Sequence, residues 1–297
     1  MKPMDWRWRA LRGVLRRVPR GRYRLLNLLA PSRGRAIGRL ADDLGGAAFA
    51  ADYEDGLSRE VCFTGMYEPP ITRVFLRHVP HRGVVVDAGA NWGYFSLIAA
   101  AAVGRDGRVI ALEPDPRQFD ALGANVALNA FRQVETVRAA AADRAGTLTL
   151  AGYDDREANR GVSRIAFASD AGAAGHRFEV TAATIHAITE GLPIVDLVKI
   201  DVEGAEDLVL AGMRRGLDGH RYRAILLELH PPLLRERGVD PEACLRRLQS
   251  AGYRGSAIDT SPDTYRRALD PEVPLESLLQ PLDAWRQSAW PHLLWLC

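Results

Sequence analysis

The chain is predicted to fold as an α/β domain around a doubly wound, mostly parallel sheet. Three observations carry this expectation. From residue 83 onward, short β-branched runs alternate with segments of helical length, the order that produces parallel strands joined by helices. The run Val84–Asp87 leads straight into the turn Asp87-Ala88-Gly89-Ala90-Asn91-Trp92-Gly93, a strand-to-helix joint of the kind found at ligand-binding sheet edges. After an interruption the rhythm resumes with VDLVKID at 195–201, the near-continuous apolar run of a strand covered on both faces.

The elements follow in order. Residues 1–30 space Trp6, Trp8, Leu11, Val14, Leu15, Val18, Tyr23, Leu25 and Leu26 in steps of three and four among arginines, which suits amphipathic helix. Pro19, Gly21, Pro31 and Gly34 prevent a single long one. Residues 1–58 therefore form a basic helical N-terminal extension, and 59–297 the main domain. Within that domain 84–87 is a strand, 94–103 a helix and 108–113 a strand. Next comes a helix over 116–130, with Asp115 as its cap and Pro116 in its first turn, and a strand over 134–138. Residues 144–182 break the rhythm: 147–150 and 177–181 read as strands of an inserted hairpin with a Gly/Ala/Ser/Asp-rich tip, a loop that could wall a substrate pocket. A strand over 195–201, a helix over 205–215, a strand over 224–230, a helix over 241–251 and strands over 253–258 and 292–296 complete the chain.

Composition narrows the function classes. With 47% hydrophobic and 26% charged residues the chain is neither disordered nor fibrous. The cysteines Cys62, Cys244 and Cys297 are too few and too scattered for a disulfide framework or a cysteine zinc site. No stretch approaches the roughly 20 apolar residues of a membrane span, and arginines interrupt the start where a secretory signal would be apolar. A cytoplasmic enzyme is expected. Residues 1–40 carry twelve Lys/Arg against one acid, which leaves 27 basic and 36 acidic side chains in the remainder. A basic arm joined to an acidic body can rest on a membrane surface or simply pack on the domain with its arginines in water, and the acidic body offers no broad face for nucleic acid.

The chemistry-bearing residues cluster at the strand ends. Gly89 and Gly93 let the backbone approach a ligand, but Asn91 stands where the dinucleotide fingerprint G-x-G-x-x-G needs glycine. Asp87 can accept from turn amides or a ligand amino group. Glu113 closes the next strand about 20 residues on, where a carboxylate binds the ribose hydroxyls of an adenosine ligand. Lys199, Asp201 and Glu203 alternate along the fourth strand and cannot be buried unpaired; Lys199 serves either an ion pair or the site. Glu228 and His230 share a face of the next strand. His230 has the intrinsic pKa to accept a hydroxyl proton, or to be a hydrogen-bonded structural histidine. Asp201, Glu228 and His230 could instead hold a divalent cation; no metal is assigned. Glu206 reads as a helix-start charge, and Trp285, Trp290 and Trp295 as core or docking residues.

Taken together, the motifs VDAGANWGYF (86–95), ALEP (111–114), Asn125 and Asn129, VKIDVEGAE (198–206) and LELH (227–230), with GMYE (65–68) ahead of them, resemble the FkbM family of S-adenosylmethionine-dependent methyltransferases over roughly residues 60–235. The pairing of D-x-G-A-N-x-G with K-I-D-x-E-G is specific. The resemblance implies a class I methyltransferase (Rossmann-like) fold of seven strands with an antiparallel last strand, S-adenosyl-L-methionine as cofactor, and O-methylation of a hydroxyl on a sugar, glycan or natural product. It implies cofactor contacts from Tyr67, Asp87, Gly89, Ala90, Asn91, Gly93, Glu113, Pro114, Ala142 and Asp201, and catalytic roles for Asp201, His230 and Lys199. Two other readings stand beside it: a nicotinamide-dependent oxidoreductase on a similar sheet, and a non-catalytic docking protein with a degenerate methyltransferase fold.

Overall fold

The computed structural model describes residues 1, 3–15, 22–152, 163–165 and 177–297. The strands in chain order are β1 (Arg35–Arg39), β2 (Ala48–Asp52), β3 (Val84–Ala88), β4 (Arg108–Leu112), β5 (Val134–Val137), β6 (Ala140–Ala141), β7 (Gly146–Gly152), β8 (Ser163–Ile165), β9 (Arg177–Ala183), β10 (Val195–Ile200), β11 (Tyr222–Glu228), β12 (Arg254–Ile258), β13 (Leu279–Gln280) and β14 (His292–Leu296). The helices are α1 (Trp6–Leu15), α2 (Arg22–Leu29), α3 (Gly56–Thr64), α4 (Pro69–Arg77), α5 (Tyr94–Val103), α6 (Pro116–Leu128), α7 (Ile185–Ile188), α8 (Glu206–Gly212), α9 (Arg214–Asp218), α10 (Pro231–Glu236), α11 (Pro241–Ser250) and α12 (Pro262–Arg267).

The main sheet runs β13-β12-β14-β11-β10-β3-β4-β5. Strands β11, β10, β3, β4 and β5 are parallel, and β14 lies antiparallel to both of its neighbours. This is the doubly wound order with an antiparallel last strand that the motifs imply; the two-residue β13 adds an eighth strand outside the expected seven. Strand periodicity divides the core between the two faces. Val85, Val109, Leu197 and Leu226 point to one side, with α3, α4 and α5. Val86, Ile110, Val198 and Leu227 point to the other, with α8 and α11.

The N-terminal region is not purely helical. It contains α1 and α2, but also the hairpin β1–β2, which the sequence reading missed. The strands RAIGR and AFAAD are rich in Ala, Arg and Gly, with Ile37 their one β-branched residue, so the usual strand signal is weak. The hairpin is joined to the main domain. Phe49 stacks on Trp92 at a centroid distance of 5.0 Å. From α6, Asn129 pairs with both main-chain groups of Ala48, each at 2.7 Å. Asn125 accepts from the Ala50 N–H at 2.7 Å and donates to the Trp92 carbonyl at 2.8 Å. Two asparagine side chains thus close an otherwise open strand edge. Helix α1 packs on α3 through Trp8 against Phe63, and Arg59 donates to the carbonyls of Leu26, Ala30 and Pro31 at the end of α2.

The irregular stretch is an antiparallel excursion, β7 with β9 and β8, tied to the domain by β6. Its expected tip falls outside the described residues. The helix expected over 205–215 is split at Met213 into α8 and α9. Gly212, at the break, lies so close to Ala142 that a Cβ would overlap its carbonyl oxygen.

Asn125 is fully buried and serves the hairpin and the Trp92 turn together. Asn125→Ala leaves an amide and a carbonyl without partners, at about 1–3 kcal/mol each. Urea denaturation followed by circular dichroism is expected to show a loss of at least 2 kcal/mol by that same accounting; an unchanged midpoint would show that the hairpin does not depend on this residue.

Candidate active site

The carboxyl ends of β3, β4, β10 and β11 bring the candidate residues to one edge. At the end of β3 the chain turns through Gly89 (φ 83°), Asn91 (φ 52°) and Gly93 (φ 102°). A Cβ on Gly89 would overlap the carbonyl oxygen of Asp201, so β3 and β10 can meet here only through glycine. The N–H groups of Gly89 and Ala90 both donate to the Leu112 carbonyl. Asn91 donates its N–H to Glu113 Oε2 at 2.7 Å, while Asp115 donates to Glu113 Oε1 at 2.8 Å. One carboxylate therefore fastens the turn after β3 to the turn after β4, the latter spanning Pro114. Burial pushes the Glu113 carboxyl up to about 8 although both amides oppose the shift.

Asp87 is fully buried. Its Oδ2 accepts from Ser96 Oγ at 2.6 Å, and its Oδ1 has no hydrogen-bond partner among the described residues. Burial raises its pKa against the pull of Lys199. Lys199 lies beside Asp87 in the β3–β10 register, with its Nζ 3.1 Å from Asp201 Oδ2 and 4.7 Å from the centre of the Phe95 ring. Burial alone would lower the Lys199 pKa; Asp201, Asp87 and Glu228 raise it instead and keep the ammonium charged. Asp201 is lowered, because Lys199 and His230 outweigh the burial that would raise it.

A second group gathers beyond Asp201. His230, the residue that caps α10, is buried; its Nδ1 lies 2.8 Å from Glu206 Oε1, and its Nε2 is 3.4 Å from Glu203 Oε2 and 3.7 Å from Glu228 Oε1. Burial would lower the imidazole pKa, but Glu206, Glu203 and Asp201 lift it to about 9. Burial together with Asp201 pushes Glu203 up to about 7. His292 of β14 reaches in from the antiparallel strand, 3.0 Å from Glu228 and 3.4 Å from Glu68. Burial, Glu68, Glu228 and Asp201 all raise the Tyr67 phenol, which lies edge-on to Tyr94 on the same side. Glu68 (φ 38°), Asn91 and Glu203 (φ 50°) are non-glycine residues in the left-handed region, and strained backbone of this kind concentrates at functional sites.

A family model described as the methyltransferase FkbM domain matches residues 87–254, more than half of the chain. The chain belongs to the FkbM methyltransferase family. A curated relative, methyltransferase sdnD of Sordaria araneosa, is 29% identical over 164 residues, 46% of this chain and 63% of the relative. The chain thus spans less than two thirds of that protein's length. Among solved structures, the FkbM methyltransferase of Methylobacillus flagellatus is 16% identical, with a TM-score of 0.44 over 87% of this chain and 56% of that one. Aeropyrum pernix fibrillarin, solved with natively bound S-adenosyl-L-methionine, is 12% identical, with a TM-score of 0.41 over 90% of this chain and 96% of that one.

Within this FkbM domain the structure brings Tyr67, Asp87, Gly89, Ala90, Asn91, Gly93, Glu113, Pro114, Lys199, Asp201 and His230 to the strand ends or their turns. Ala142 follows β6; its N–H donates to the Ala183 carbonyl at 2.9 Å, and its own carbonyl abuts Gly212. Sequence reasoning missed His292 and the role of Glu206. His292 begins what reads as a plain apolar strand, and only the antiparallel pairing Glu228↔His292 places it in the site. Glu206 opens a helix, where a carboxylate is ordinary, and nothing in its local sequence shows that His230 lies 2.8 Å away.

Glu113 yields a pH prediction. Its carboxyl in the free protein holds its proton up to about pH 8, whereas ribose hydroxyls donate to the charged form. Affinity for S-adenosylmethionine, measured by calorimetry, should therefore strengthen as pH rises toward 8, by at most about tenfold per pH unit, and level off above. Glu113→Gln should bind more weakly and without this slope; an equal slope in the variant would assign the titration to another group.

Proposed function

We propose that this FkbM-family chain binds S-adenosylmethionine at the Asp87–Gly93 turn and methylates a hydroxyl oxygen of a sugar or sugar-bearing natural product. The residues fit that cofactor on three counts. Asp87 Oδ1 is buried without a partner and matches the ammonium of the methionine moiety. Glu113 sets a carboxylate at the end of β4 against the same turn, where ribose hydroxyls would donate. Carboxylates dominate the edge, in keeping with a cationic sulfonium. When bound, the cofactor supplies an activated methyl group. The chain's own residues hold the turn through Glu113, keep Asp201 ionised through Lys199, and line the acceptor side with Glu203, Glu228 and His230.

The observation that carries the sugar reading is Trp290. It is 43% exposed, and its ring lies 5.0 Å from the His230 imidazole. Trp285 and Trp295 are buried, as core tryptophans should be; Trp290 is not, and it borders the reacting edge. An exposed indole beside proton-accepting groups suits the apolar face of a sugar ring.

Incubation with methyl-deuterated S-adenosylmethionine and a panel of glycosides, followed by mass spectrometry, is expected to show label on oxygen. Asp201→Asn should lower turnover roughly tenfold or more, with cofactor binding weakened but still measurable. Label on nitrogen would overturn the oxygen assignment, and absence of cofactor binding would turn the reading toward a non-catalytic member of the family.

The basic arm adds a location. Val14, Leu28 and Leu29 are exposed, with Arg7, Arg24, Arg33 and Arg35 exposed in the same N-terminal region. Apolar side chains among arginines match an anionic lipid surface. No helix among the described residues is long and apolar enough to cross a membrane. Sedimentation with phosphatidylglycerol vesicles is expected to carry the protein down at low salt, and the double variant Leu28→Ser, Leu29→Ser should remain in solution. Equal binding to phosphatidylcholine, or none to either, would remove this role from the arm.

A further inference from the structure

Asp201, Glu203 and His230 each turn a donor atom toward a common point, and the three atoms lie within 4.8 Å of one another. A divalent cation takes oxygen and imidazole nitrogen donors at roughly 2.0–2.2 Å, so neighbouring donors stand about 3.0–3.5 Å apart, a spacing that the side chains reach by rotating in on the ion. Proximity among acids alone would not make a site, because acidic edges are common. The second observation is the imidazole itself. His230 is buried, and Glu206, wholly buried, holds its Nδ1 at 2.8 Å. Once Nε2 gives up its proton, with Nδ1 donating to Glu206, the Nε2 lone pair faces the carboxylates. Its neighbours there, Glu203 and Glu228, lie at ion-pair distances of 3.4 and 3.7 Å, and neither makes a hydrogen bond with it. A carboxylate behind a histidine whose far nitrogen faces further carboxylates is the arrangement that orients metal-binding histidines.

Asp201 Oδ2 is engaged by Lys199, which leaves Oδ1 as the ligand atom and fixes its direction. Glu203 (φ 50°) sits in the left-handed region ahead of Gly204, in the turn that follows β10. Two carboxylates with one imidazole form a mixed oxygen and nitrogen set suited to Mn2+ or a similar divalent ion rather than to a thiolate-seeking metal.

We infer that Asp201, Glu203 and His230 bind a divalent cation whose open positions take the acceptor hydroxyl. This rests on the methyl-transfer reading for its role but not for its occupancy. The cation acidifies the coordinated hydroxyl, and the proton passes to Glu228, which lies beside His230. The oxygen lone pair forms the new O–C bond to the methyl carbon. The S–C bond breaks with its electron pair returning to sulfur, which leaves as a neutral thioether. Neither oxidant nor reductant is required.

The test is titration of the chelator-stripped full chain with MnCl2, read by electron paramagnetic resonance, alongside calorimetry with S-adenosylmethionine. One Mn2+ per chain is expected. Glu203→Gln and His230→Gln should each weaken it roughly tenfold or more while leaving cofactor affinity within a few-fold, which also shows that the variants are folded. Absence of stoichiometric Mn2+ binding in the wild type, or binding that both variants leave unchanged, would overturn the inference. A wild type that binds the cofactor and transfers methyl equally well after chelation would do the same while leaving methyl transfer intact. A wild type that binds Mn2+ but not the cofactor would support the cation site and overturn the methyl-transfer reading.

Discussion

The candidate site depends on a buried cation, the Lys199 ammonium. It sits between Asp87 and Asp201 at the end of the central strand pair, covered by Phe95. A buried ion pair contributes little net stability when compared with a well-packed apolar replacement, but losing one partner strands the other charge at a cost of about 3–5 kcal/mol. Lys199 faces two acids, so its loss would strand both. Its positive charge lets a sheet otherwise filled with Val, Ile and Leu end in carboxylates, and it keeps Asp201 ionised where burial would otherwise neutralise it. Lys199 thus positions Asp201 and keeps it charged at the candidate site.

Glu113 supplies the complementary constraint. Its two oxygens hold the amides of Asn91 and Asp115, so the shape of the turn after β3 is set from β4. The same turn is held from the far side by Asn125, which binds the Trp92 carbonyl and the N-terminal hairpin together. A ligand at Glu113 therefore touches a residue whose position is linked, through one turn, to the hairpin of the extension. This ties the hairpin to the turn after β3, so β1–β2 and the main sheet are not structurally independent.

The parts of the fold visible in the sequence were those with local signals. The β3–α5 joint, Asp115 capping α6 and the strand VDLVKI fall where periodicity and capping chemistry place them. The hairpin β1–β2 did not, because its stability comes from Asn125, Asn129 and Trp92, which lie far from it in sequence. The site divides the same way. Asp87, Glu113 and Asp201 end strands of a parallel sheet, so their convergence follows from topology. His292 enters from the antiparallel strand, Glu206 from inside a helix and Trp290 from the loop before β14, and tertiary packing alone brings these near His230.

Charge decides how the two halves of the edge relate. Glu68, Asp87, Asp201, Glu203, Glu206 and Glu228 face Lys199, His230 and His292, so the carboxylates outnumber the cations even with both histidines protonated. Asp87, Glu203 and Glu228 are all raised, each chiefly by burial, and His230 is lifted to about 9 by its acidic neighbours. The Glu203–His230 side lies beyond Asp201, next to Trp290. The edge is thus acid-rich on both sides of Asp201, and Lys199 is what keeps Asp201 ionised between them.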